Sequence, residues 1–434
     1  MATFNFIHTD LPRTWLSQSF HSLSSFSEKG GELNDHQLRS VYSNIMLFVG
    51  LLTLAAAVSA SPVERQTKST VLSLKHYSNV TSIKNIVDKG HARLANINDA
   101  HTAGSTRAVT VSSGAVTNED ITYVAPVTIG SKTWSLIVDT GSSNTWCGAQ
   151  TSCEKTSTGT ATGGTVSVSY GSGSFSGKEY TDTVSFGGLT VKGQSIGAAT
   201  SATGFSGVDG IIGFGPADLT SSTVSNTNNV PTFMDNLYTQ GSISSEVLGV
   251  YFKPESGSDS SDTNGELTLG GVDSTKYTGS LTYFSKLASG TASAYWGISI
   301  ASFTYGTTTL SSSGSGIVDT GTTLVYIPTA AYNKFLSATG GNTDSTSGLA
   351  VFTTKPTSNF AIKFGSTTYT LTPAQYLVPT AQYSYFSLTS GKYYAWINDG
   401  GSSGVNTIIG QKFLENYYSV YDTTNSRIGF ATAA

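Results

Sequence analysis

The triplet Asp-Thr-Gly occurs twice, as Asp139-Thr140-Gly141 and Asp319-Thr320-Gly321, each entered through an apolar run, Leu136-Ile137-Val138 and Ile317-Val318. Each copy reads as a buried strand emptying into a tight turn, with a carboxylate at the strand end and a glycine beside it. A second pair of related segments follows: Asp209-Gly210-Ile211-Ile212-Gly213 after the first triplet and Asn406-Thr407-Ile408-Ile409-Gly410 after the second. Repeated order with unequal loops predicts two homologous lobes with a boundary near residues 272–295. Two such loops facing each other bring two carboxylates into contact. A facing pair cannot comfortably lose both protons, so one acid stays protonated while its partner is ionised, which places an acid and a base in one site.

The remaining composition removes most alternatives. All six histidines, His8, His21, His36, His76, His91 and His101, precede the first triplet. A Ser-His or Cys-His nucleophile pair and a histidine-ligated zinc site are therefore excluded from the body of the chain. Neither a metal nor a cofactor is expected. Charged residues are only 12% of the 434 positions, while Gly, Ser and Thr are abundant. That balance favours many short strands joined by turns, an all-β chain long enough for two domains. Alternating segments such as Ile121-Thr122-Tyr123-Val124, Trp134 to Val138 and Thr165 to Tyr170 fit it; helical texture is confined to Thr232 to Tyr238, Thr329 to Ala338 and Gln411 to Tyr417.

Charge divides the chain. From Val109 onward there are 13 Lys+Arg, of which only Arg427 is an arginine, against 20 Asp+Glu, a net −7. Residues 61–108 carry 7 Lys+Arg against 3 Asp+Glu, a net +4. The two pieces should attract at neutral pH. An acidic body poor in arginine has no electrostatic footprint for a phosphate backbone, so nucleic acid is not an expected partner.

The N-terminal region reads as processing signals. The apolar run Met46 to Val58, followed by Ser59-Ala60-Ser61-Pro62, has the length and small-residue cleavage pattern of a secretory signal peptide (46–60), and is short for a membrane span. Some 45 polar residues precede it, so residues 1–45 are a disordered extension or a mis-assigned start, with Met46 the initiator. Secretion makes Cys147 and Cys153, the two cysteines, a pair expected to bond, with two free thiols as the alternative. Residues 61–108, basic and patchily amphipathic around Val80, Ile83, Ile86 and Val87, look like a pro-segment. The single glycosylation acceptor, Asn79-Val80-Thr81, lies within it.

These motifs together resemble the pepsin-like aspartic protease family, and within it the secreted basidiomycete enzymes of polyporopepsin type, over essentially all of the chain from Val109. Val138 to Trp146 looks like the first active-site loop, Val318 to Leu324 like the second, and Val168-Ser169-Tyr170-Gly171-Ser172-Gly173-Ser174 like the flap hairpin. Phe413 to Phe430 is similar to the family's C-terminal block.

The resemblance implies a bilobal fold, an N-terminal lobe over 109–280 and a C-terminal lobe over 281–434, with a peptide lying extended between them. Asp139 and Asp319 would activate a water without a covalent intermediate, in an acidic working range. Ser142 and Thr322 would bond the outer carboxylate oxygens, Thr140 and Thr320 would lock the lobes, and Gly141 and Gly321 would leave room beside the water. Tyr170 and Gly171 would cover the scissile bond, Trp146 would support the flap, and Ile137, Tyr170 and Ile211 would line a pocket for a large apolar side chain.

Ser172, where fungal relatives that accept lysine carry aspartate, implies poor cleavage after lysine. The resemblance further implies a secreted monomeric zymogen acting on polypeptides, its pro-segment placing Lys84 or Lys89 near the dyad until acid releases it. The rival reading, an inactive pepsin-fold binding protein or inhibitor, is disfavoured by two intact triplets.

Overall fold

The computed structural model describes residues 69–78, 82–102, 121–153, 156–171, 173–255 and 263–434. The expectations for the extension (1–45), the signal peptide (46–60), the ends of the basic segment and Ser172 lie outside the described residues.

The first described elements are β1 (Thr70–Ser78) and α1 (Ile83–Thr102). There follow β2 (Ile121–Ile129), β3 (Lys132–Asp139), β4 (Trp146–Cys147), β5 (Thr160–Ser169), β6 (Ser174–Phe186), β7 (Leu189–Thr203) and β8 (Gly210–Gly213). Gly130, at φ +60°, forms with Ser131 the two-residue turn that joins β2 to β3 in the register Ile129↔Lys132. Hairpins of this length need a positive φ, which glycine supplies without steric cost. Along β3 exposure gives way to burial, so that Leu136 and Val138 are fully buried where the strand delivers Asp139 to the interior.

The duplication read from sequence is reproduced in strand register. β3 runs parallel to β8 with Val138 opposite Ile212, and the strand Gly314–Val318 runs parallel to Ile408–Ile409 with Val318 opposite Ile409. β4 crosses antiparallel to β8 with Trp146 opposite Ile211; Val325–Ile327 crosses antiparallel to Ile408–Ile409 with Tyr326 opposite Ile408. Trp146 and Tyr326 thus hold equivalent places in the two copies. The closing glycines are required by the crossing: a Cβ on Gly213 would sit 2.5 Å from Ser143 Cα, and one on Gly410 2.5 Å from the Thr322 carbonyl oxygen.

A thirteen-stranded sheet joins the halves. The C-terminal strands Tyr417–Asp422 and Arg427–Ala433 pair with Val247–Tyr251 and Tyr277–Ser285, and β1 fills the position between Thr263–Leu269 and β2. One apolar core runs through both halves, from Val138, Ile212 and Phe214 to Val318, Ile409 and Phe430. The fold is all-β with a few short helices, as expected. The three helices expected from sequence form at Phe233–Thr239, capped by a reciprocal Thr232/Asp235 box, at Thr329–Thr339, closed by left-handed Gly340, and at Gln411–Leu414. The last is shorter than its sequence texture suggests, because Tyr417 already belongs to a strand. Cys147 and Cys153 are bonded to each other, which settles the alternative left open by the sequence.

Candidate active site

The two triplets meet. Thr140 N–H donates to Thr320 Oγ1 at 2.9 Å and Thr320 N–H to Thr140 Oγ1 at 3.0 Å, while Thr320 Oγ1 donates to the Val138 carbonyl at 2.9 Å. This reciprocal lock leaves Asp139 and Asp319 buried side by side, at 1% and 0% exposure. Their proximity is measured by the glycines: a Cβ on Gly141 would lie 2.6 Å from Asp319 Oδ1, and one on Gly321 would collide with Asp139 Oδ1. A side chain at either position would fill the space between the acids.

Each carboxylate is held in the same way. Asp139 accepts from Gly141 N–H at 2.9 Å and from Ser142 Oγ at 2.5 Å; Asp319 accepts from Gly321 N–H at 2.9 Å and from Thr322 Oγ1 at 2.6 Å. In both cases the hydroxyl takes Oδ2 and the backbone takes Oδ1, so the Oδ1 atoms face inward. Burial pushes the Asp319 carboxyl up to about 6, with the Asp139 charge adding to the rise and Arg93 and the Thr322 hydroxyl opposing it. One acid is therefore disposed to keep its proton in a range where ordinary aspartates have lost theirs.

The flap forms as the β5–β6 hairpin. Tyr170 N–H donates to the Gly173 carbonyl at 2.7 Å, and Gly171 stands at φ +78°. Tyr170 packs with Trp146, Phe175 and Phe205 in one cluster that also contains Ile137 and Ile211, so the pocket residues named from sequence are brought together. Burial, then the nearby Asp139 charge, raises the Tyr170 phenol, which stays protonated.

The cation at the dyad is Arg93, in place of the Lys84 or Lys89 expected from sequence. Its Nη2 donates to Asp139 Oδ1 at 2.7 Å and Asp319 Oδ1 at 3.1 Å, and its Nε lies 2.6 Å from Asp319 Oδ2. Lys84 pairs instead with Asp88 on an exposed face. Helical phase is the reason, and it was available in the sequence. Ile83, Ile86, Val87, Gly90, Leu94 and Ile97 form the buried face of α1, and Arg93 stands at its edge, three residues from Gly90 and four from Ile97. A planar fork also suits two carboxylates better than a point charge.

α1 itself fills the space between flap and dyad. Asn96 Nδ2 donates to the Ser169 carbonyl at 2.8 Å, a Cβ on Gly171 would lie 2.6 Å from Arg93 N, and His91 Nε2 is 2.9 Å from the Asp399 carbonyl. Among the described residues no group of side chains has the arrangement of a metal site.

Two paired carboxylates locked across a pseudo-symmetric β fold, beneath a flap tyrosine, define an aspartic protease of the pepsin class. The family model described as eukaryotic aspartyl protease matches residues 122–433, and the chain belongs to that family. It is 48% identical over 329 residues to polyporopepsin of Irpex lacteus, covering 73% of this chain and 96% of that protein. It is 31% identical over 337 residues to pepsin A of Sus scrofa, covering 73% and 82%. The match to rhizopuspepsin of Rhizopus chinensis, 33% identical over 413 residues, reaches further, to 89% of this chain and 98% of that protein. The crystal structure of the aspartic proteinase from Irpex lacteus superimposes with a TM-score of 0.69 at 47% identity, covering 72% of this chain and 94% of that one. The chain is an aspartic endopeptidase.

Proposed function

We propose that this chain is the zymogen of a secreted acid endopeptidase, silenced by its own residues 61–108 and specific for large apolar side chains beside the scissile bond. The observation that carries the reading is Arg93, which contacts both catalytic carboxylates at once. With α1 in place the water position between the Oδ1 atoms is taken by a guanidinium. With α1 gone, Asp139 and Asp319 share one proton over a water; one accepts the water's proton as the other donates to the scissile carbonyl. Ser142 and Thr322 hold the acids, and Tyr170 closes over the bond and excludes solvent. Apolar specificity is supported by Ile137, Tyr170 and Ile211 lying in one apolar cluster. Secretion rests on the apolar run 46–58 and on the extracellular chemistry of a disulfide.

The pH dependence has a definite sign. The Arg93 guanidinium pairs with the ionised acids, so the ion pair favours docking where Asp319 is charged and that contribution is lost as Asp319 takes up its proton below about 6. Full-length protein incubated with a denatured protein substrate should be silent at pH 7, and should cleave itself and the substrate at pH 3–4, with inhibition by pepstatin. Full activity of the intact chain at pH 7 would refute the zymogen reading.

A further inference from the structure

The two copies hold their aspartates alike, yet the residues behind them differ. Ile211-Ile212-Gly213 is followed by Phe214, part of the apolar core, whereas Ile408-Ile409-Gly410 is followed by Gln411, which is also buried. Gln411 is fixed at both ends. Its N–H donates to the Thr322 carbonyl at 2.8 Å, and its Nε2 donates to the Thr320 carbonyl at 2.8 Å. Its Oε1, buried, has no hydrogen-bond partner among the described residues. A carboxamide that leaves one buried acceptor unpaired costs stability, and packing alone would be served better by an apolar side chain such as the Phe214 of the first copy. What the carboxamide supplies is the bond from Nε2. The Thr320 carbonyl belongs to the same peptide group as the Gly321 N–H, which donates to Asp319 Oδ1 at 2.9 Å. A trans peptide directs its C=O and N–H to opposite sides, so Gln411 and Asp319 sit at the two ends of one relay.

We infer that Gln411 is a positioning residue for the dyad, acting through the Thr320–Gly321 peptide to strengthen the hydrogen bond on Asp319, a support with no counterpart at Phe214. The role rests on Asp139 and Asp319 being the catalytic pair. Hydrogen bonds in a chain polarise one another: a donor at the Thr320 oxygen draws electron density from the peptide nitrogen and makes the Gly321 N–H a stronger donor. A stronger donor favours the ionised carboxylate. Burial raises the Asp319 carboxyl and the Gly321 N–H is among the groups that oppose the rise, so loss of Gln411 moves Asp319 further up. Besides the Thr322 hydroxyl, the groups facing Asp319 are the Asp139 carboxyl, the Arg93 guanidinium while α1 is docked, and the phenols of Tyr295 and Tyr421. Burial raises both phenols, so they stay neutral in the acid range. On the helix that Gln411 begins, Lys412 and Glu415 pair with each other at 2.8 Å.

The test uses processed enzyme, its loss of α1 verified by mass, and a peptide substrate without titratable groups. The alkaline limb of kcat/KM against pH reports loss of the proton that the dyad must keep. Gln411→Met and Gln411→Leu, two shapes without a donor, should both move that limb up by about half a pH unit, which is about threefold in rate at a fixed pH on the limb. KM at the optimum should stay within about twofold, because Gln411 is fully buried and does not touch the substrate. Gln411→Glu should keep the wild-type limb: burial holds a proton on a carboxyl such as Glu179 up to about 7, and a protonated acid can donate to the same carbonyl. Tm is recorded for each protein over the same pH range. A lowered Tm with the limb unmoved in the Met and Leu variants would show that Gln411 serves packing, and an equal shift in all three variants would assign the effect to shape or charge; either overturns the inference. Wild-type rates in Asp319→Asn, run alongside, would instead sink the dyad on which the inference rests.

Discussion

Arg93 reaches both aspartates because α1 turns a single edge of its buried face toward them, and every neighbour of that contact is explained by the same phase. Gly90 makes room for Tyr326, Asn96 reaches the flap, and Asn98 reaches Val405. Replacing Arg93 with alanine removes both ion pairs and should raise the pH at which α1 leaves the cleft by about one unit or more, read as the midpoint of self-processing across a pH series. An unchanged midpoint would mean that α1 is held by apolar packing alone. At this scale the sequence was informative about the acids and their hydroxyl supports, since these are contiguous in two motifs. The apolar stripe of α1 carries the phase that puts Arg93 at the edge of the buried face, but the contact itself, spanning 46 residues to Asp139 and 226 to Asp319, leaves no local pattern.

The elements that build the site are short and tie their order to neighbours. β4 is two residues long, Trp146 and Cys147, yet it crosses β8, borders β7 and carries the indole under the flap tyrosine. The disulfide to Cys153 pins the loop that leaves it. Cys147→Ser should therefore lower stability by about 1–3 kcal/mol in denaturant unfolding, with a smaller effect on catalysis. A change near zero would show that pairing with β8 suffices to hold the element. Strand existence was legible from alternation, and the parallel pairing of β3 with β8 was foreshadowed by the repeated Ile-Ile-Gly segments. The pairing of β1 between β2 and Thr263–Leu269 was not: a nine-residue strand reads the same whichever edge accepts it.

The molecule as a whole is built for acid. Glu179 on β6 is 3% exposed; its Oε1 accepts from Ser195 Oγ and its Oε2 has no hydrogen-bond partner. Burial pushes it up to about 7 from an ordinary 4.5. Glu246 is pushed to about 8 by burial and by the adjoining Asp235 carboxyl. Because these folded values exceed the unfolded ones, the stability they permit is complete at acid pH and is lost as pH rises through 7–8. Glu179→Gln should reduce the fall in Tm between pH 5 and pH 8, by an amount equivalent to about 1–3 kcal/mol; an equal fall in both proteins would place the alkaline sensitivity elsewhere. Acidic composition pointed in this direction, but burial of particular carboxylates is a tertiary fact. All of this serves one pair of side chains. The direct test is hydrolysis of a denatured protein at pH 3–4 by the processed wild type, Asp139→Asn and Asp319→Asn, each verified as folded by circular dichroism and released from α1 by prior cleavage. Both variants should lose kcat by about a thousandfold or more while still binding pepstatin or a substrate peptide. Wild-type turnover by either one would contradict the shared-proton dyad.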